Sequence, residues 1–191
     1  CNATHKGEKV SIEKIQEQMF GQCWSLLPES DAMWRIYSPD MKGIKIKSNI
    51  EKIFNIIFDD NKESSLATSY IGKVQYKSKK ELIEYLSKPE NTNLISETIS
   101  VINSHLHKRN EFGHEKEIRL IYFVDSNSED NKNKIKKFEI DPNDLIDEIC
   151  FDPRISERYH ELYKTTFQNL GYKGKIIKST LYDFEGIDIK I

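Results

Sequence analysis

An α+β fold, with a central mixed, mostly antiparallel sheet flanked by helices, is predicted by three features of the sequence. Segments of clean apolar–polar alternation, such as residues 43–47, stand beside segments whose apolar residues recur at three and four, such as Ile50, Ile53, Phe54, Ile57 and Phe58. These segments follow one another without the strict strand–helix alternation that builds a parallel sheet. The chain has 191 residues, 37% of them hydrophobic, with no internal repeat and no Pro/Gly/Ser-rich linker, so one domain over 1–191 is expected.

Residues 1–9 are polar and carry no packing pattern. Ile12, Ile15 and Met19 have helical spacing behind Ser11, a suitable N-cap. Residues 19–27 read as a buried strand ended by Pro28, and Glu29, Ser30 and Asp31 open a short helix carrying Met33, Trp34, Ile36 and Tyr37. Residues 43–47 are a half-exposed strand, and Ser48 or Asn49 caps the helix that starts at Ile50. Residues 70–77 alternate as a strand, and helices are expected over 79–87 and 93–108. Residues 115–124 form the strongest strand; 125–134 are a polar loop leading to a return strand over 136–140. A short strand over 146–151, a helix over 155–170 stopped by Gly171, and a last strand over 175–179 complete the order.

Charged residues make up 31% of the chain, yet the formal net charge is only −2, with 29 Lys and Arg of which 5 are Arg. Phosphate affinity comes from clustered excess cations, and base readout favours the Arg fork, so nucleic acid is an unlikely partner. No apolar run reaches the length of a membrane span. Three scattered cysteines, Cys1, Cys23 and Cys150, form neither a disulfide framework nor a zinc ribbon; buried thiols in a reducing, cytoplasmic compartment are expected.

Phosphate loops and the hydrolase elbow are absent. Gly171–Gly174 follows a helix, the wrong polarity for an anion site. His105 and His107, two apart on the expected helix, point about 200° from each other and do not share an ion. Asp141, Asn143 and Asp144 lack the Gly and final Glu of a calcium loop and read as a capped turn. No metal is expected.

Two stretches carry chemistry. In the strand over 115–124, Ile118, Leu120, Tyr122 and Val124 form an apolar row. Glu115, Glu117 and Arg119 start the opposite row, as in a strand that opens into a solvated cleft. The bland alternative is an exposed Glu117–Arg119 ion pair. In the second stretch, Trp34 and Tyr37 share a face of the short helix with Ser25 just upstream. Aromatic faces beside a hydroxyl suit a flat heteroaromatic ligand, although at this spacing they also suit a core.

The run from Cys23 to Leu26, with Met33-Trp34, Tyr37 and Gly43–Ile46, resembles the bacterial family of unknown function DUF2971, whose motif reads roughly C-F-S…M-W-x-x-Y…G-x-x-I. Glu115–Leu120 is similar to its E-x-E-[YW]-R-L, and Ile149–Asp152 with Ser179–Leu181 to its C-terminal pattern. The family's amino-terminal strands and N-D-P-F motif, which would precede Cys1, do not appear. The resemblance implies a setting near phage-defence genes and no mechanism. A pattern analogy to ADP-ribosyltransferases, which carry an E-x-E at a strand start, assigns roles: Glu117 as the essential carboxylate, Glu115 to orient the nucleophile, Ser25 to contact ribose, Trp34 or Tyr37 to stack on nicotinamide, with Arg119 beside them. The expectation is an NAD-using ADP-ribosyl-transferring or NAD-consuming effector. The alternative is a non-enzymatic sensor or interaction module with a protein partner. A metal-dependent nuclease using Glu115, Glu117 and a Lys is a third reading, weakened by the lack of a matching Asp on a second strand.

Overall fold

The computed structural model describes residues 2–5, 8–11, 18–57, 69–88, 91, 98–123 and 133–183, with side chains from residue 18 onward except at 57 and 98. The class is α+β, and four of the six strand pairings are antiparallel. The strands fall into separate sheets rather than one central sheet. The chain divides into two compact units, Cys1–Leu27 with Phe54–Glu139 and Pro28–Ile53 with Ile140–Ile191. Among the described residues, no helix is long and apolar enough to cross a membrane.

In the first unit, β1 (Asn2–His5) pairs antiparallel with β2 (Glu8–Ser11), where a polar entry without packing pattern was expected; most of the helix expected behind Ser11 lies outside the described residues. Residues 12–17 lie outside the described set. A three-stranded antiparallel sheet carries β8 (Glu117–Phe123) between β3 (Met19–Ser25) and β5 (Ser69–Lys73). Its central position explains why both rows of β8 are apolar: Ile118, Leu120, Ile121 and Tyr122 are all buried. The strand expected over 70–77 is two strands. β5 ends at Lys73, the Val74 amide donates to Glu117 O at 2.9 Å, and β6 (Gln75–Lys77) leaves to pair in parallel with β7 (His107–Arg109). Ser78 closes a capping box with Glu81 at the start of α3 (Lys79–Leu86). Helix α4 (Thr98–His105) stops short of the expected residue 108, because His107–Arg109 is strand. The polar loop expected over 125–134 lies outside the described residues up to 132, and the expected return strand over 136–140 is irregular chain.

The second unit holds α1 (Asp31–Tyr37) and β4 (Ile44–Lys47), which pairs antiparallel with β9 (Glu148–Phe151); β9 pairs in parallel with β10 (Lys175–Lys178). Asn49 caps α2 (Ile50–Ile57), its Oδ1 accepting from Lys52 N at 2.9 Å. The acidic stretch at 141–144 is the capped turn of α5 (Pro142–Leu145), with Asp141 accepting from Asn143 N at 2.8 Å. Helix α6 (Glu157–Asn169) ends before Gly171, whose φ of +93° reverses the chain as glycine permits. Ile149, Phe151, Ile155 and Tyr172 are the buried centre of this unit, with Tyr163 and Phe167 of α6 packed against them.

Candidate functional site

The candidate site lies in the first unit, where β8 emerges from its sheet. Register sets Ser25 opposite Glu117, and Cys23 and Gly72 on either side of Arg119. Directly opposed side chains share a face, so Ser25, Cys23, Glu117 and Arg119 stand together. Gly72 leaves room here: a Cβ at that position would lie 2.3 Å from Leu106 Cδ1.

Glu115 does not lie on this strand. It ends a 3₁₀ helix, Asn110–Glu115, and Lys116 follows in the left-handed region at φ 45°. This reversal, unforeseen because Lys116 carries no turn signature, removes Glu115 from the strand-face row. The two carboxylates meet through Lys108 instead, on β7. Its ammonium donates to Glu115 Oε2 and, at 3.2 Å, to Glu117 Oε2.

The solvated cleft and the exposed ion pair are both overturned. Glu117 is 3% exposed and Glu115 8%. Arg119 Nε donates to Glu117 Oε1 at 2.6 Å, its Nη2 donates to Oε2 at 3.3 Å, and its Nη1 donates to His105 O at the end of α4. The Glu117 amide donates to the Tyr76 hydroxyl at 2.9 Å. Burial pushes the Glu117 carboxyl up, but hydrogen bonds from Arg119, Cys23 and Lys108 outweigh it and hold the pKa at about 2. Burial likewise opposes the charge on Lys108 and Arg119, and their carboxylate partners raise both above their ordinary values. The Cys23 thiol is raised by burial and by Glu117, so it stays protonated and donates rather than acting as a nucleophile. Cys23 is exposed at the residue level and Cys150 buried, so only one of these two expected buried thiols is found as expected.

Ser25 Oγ donates to Glu115 O at 2.7 Å and accepts from Leu27 N at 3.1 Å, a backbone brace between β3 and the turn before β8. Trp34 and Tyr37 belong to the second unit. Trp34 is 6% exposed, with its indole N–H donating to Glu29 Oε1 at 2.6 Å, whereas Tyr37 is 64% exposed. The two do not present one common aromatic surface. His105 Nδ1 donates to Val101 O and His107 Nδ1 to Asn103 O, so Nδ1 of each ring is taken up by backbone.

Sequence reasoning missed Lys108 and Tyr76, and it missed Cys23 as a member of the cluster. Lys108 reads as the solvated end of a helix, and only the switch to strand at His107 turns it inward. The four charges, two of each sign, balance. Glu117 at about 2 is no proton donor near neutrality; the cluster can offer a fixed anion and the room to hold a cation between two carboxylates.

Residues 33–120 match the model of the family described as "Protein of unknown function (DUF2971)". The matched stretch includes Lys108, Glu115, Glu117 and Arg119 and ends within β8; Cys23 and Ser25 lie ahead of it. No curated protein and no solved structure matches the chain.

Proposed function

We propose, for a chain whose residues 33–120 match the DUF2971 model, an NAD-using reaction at the Glu115–Glu117 cluster. In this reaction the bond between nicotinamide and ribose breaks, neutral nicotinamide leaves with the bonding pair, and water or a target nucleophile bonds to the ribosyl carbon and gives up its proton to solvent. The supporting observation is the Lys108 ammonium held between Glu115 and Glu117. A position that accommodates a full cation between two fixed carboxylates would also favour the positive charge that develops on a ribosyl carbon. In this reading substrate displaces Lys108, a point charge on a flexible stem, and Glu117 stays fixed by Arg119. A nucleotide is the small-molecule partner, and phage defence the biological setting.

The burial of Glu117 and the charge balance favour a second reading, a non-enzymatic sensor or interaction module in which the cluster is a structural brace. Nicotinamide release from NAD by the full chain separates the two. Release by the wild type that is lost in Glu115→Gln supports the enzyme. No release, with the wild type folded, supports the module.

A further inference from the structure

We propose that Glu157, His160 and Glu161, in the first turns of α6, bind a divalent transition cation of the zinc class. This site belongs to the second unit and is independent of the carboxylate cluster.

His160 lies on the inward stripe of α6, three and seven residues before Tyr163 and Phe167, and its ring meets Phe151 edge-on with centroids 5.2 Å apart. It is 9% exposed, yet among the described residues neither ring nitrogen has a hydrogen-bond partner. Packing alone does not account for an imidazole here, because a buried polar atom left unpaired is costly and a phenyl ring would fill the same place without that cost. What the ring nitrogen faces is a pair of carboxylates. Nδ1 lies 3.5 Å from Glu157 Oε1 and 3.6 Å from Glu161 Oε1, and one ligand atom from each of the three residues lies within 4.8 Å of the others. These separations are too long for good hydrogen bonds but suit a shared ion. Ligands at zinc distances in a tetrahedron stand roughly 3.4 Å apart.

The donor set chooses the class of cation. One imidazole with carboxylates suits zinc and its neighbours, whereas calcium and magnesium take oxygen alone. Among the described residues the nearby ammoniums form only long ion pairs with these carboxylates, Lys178 Nζ at 3.7 Å from Glu157 Oε2 and Lys164 Nζ at 3.6 Å from Glu161 Oε1, both beyond hydrogen-bond reach. Both glutamates are solvent-exposed, so an ion has a path in and water completes its shell.

The test uses the full chain, with Zn²⁺ followed by thermal melting and Co²⁺ by visible absorption. A single equivalent of Zn²⁺ should raise the melting temperature, and Co²⁺ should give ligand-field bands without a thiolate charge-transfer band. His160→Phe keeps the aromatic packing and should abolish both effects. Should that variant fail to fold, Glu157→Gln with Glu161→Gln carries the test at exposed positions. Its affinity should fall by at least the roughly 10–100-fold seen when a ligand loses its supporting hydrogen bond. No rise in melting temperature overturns the proposal. So does a rise that survives the double glutamine variant, or a thiolate band, which would place the metal on a cysteine.

Discussion

Arg119 Nε donates to Glu117 Oε1 at 2.6 Å across two residues of one strand, with the carboxylate side chain almost wholly removed from water. Side chains two apart in a strand point the same way, so the pairing is built into β8 itself. Its depth is not: that comes from α4, Lys108 and Tyr76, which close over the end of the strand.

The first expectation concerns stability. Glu117→Gln leaves Arg119 and Lys108 charged and short of a partner. The loss should be on the order of 3–5 kcal/mol, the scale for breaking a buried pair, and not the ~0–1 kcal/mol of a surface pair. Urea unfolding of wild type and variant measures it. A loss under about 1 kcal/mol would place Glu117 in water.

Acid sensitivity follows from the same group. A folded pKa of about 2, below the ordinary 4.5, means the folded state favours the ionised carboxyl. Its contribution is complete above the ordinary value and is lost as pH falls from about 5 toward 2, amounting to at most about 3 kcal/mol. Melting temperature against pH should fall over this interval more steeply in wild type than in Glu117→Gln. Parallel curves would contradict the assignment.

Gly72 gives a steric test. An added methyl meets Leu106 at 2.3 Å beside Arg119, so Gly72→Ala should cost about 1–3 kcal/mol by overpacking. Leu106→Ala in the same chain should recover part of that loss, read by a double-mutant cycle. Strict additivity would show that the two do not touch.

Trp34 separates packing from hydrogen bonding in the second unit. Trp34→Ala should cost about 3–5 kcal/mol as a buried aromatic lost from a packed site. Trp34→Phe should cost less, about 1–3 kcal/mol, because Glu29 loses the indole donor but keeps the Ser179 hydroxyl. Equal losses would mean that the indole N–H carries the whole effect.

Much of the fold is legible because its signals are local. Alternation marks 44–47, Asn49 caps its helix, and Gly171 stops α6. The identity of the cluster is equally legible, since Glu115, Glu117 and Arg119 stand as charges beside an apolar run. What escapes is long-range. The break at Val74 depends on Glu117 O, the inward turn of Lys108 depends on pairing with β6, and the reversal at Lys116 has no glycine to announce it. His160 escapes for a related reason: one polar residue on an otherwise apolar stripe of α6 reads as tolerance until its neighbours are placed.

In the proposed function the anion of Glu117 takes part in chemistry on NAD. The most direct test of that role is nicotinamide release by the full chain, wild type against Glu117→Gln, at a temperature where melting curves show both folded. Release by the wild type should fall roughly 10²-fold or more in the variant, the scale of losing one preorganised electrostatic contact. Equal release by the two folded proteins would contradict it.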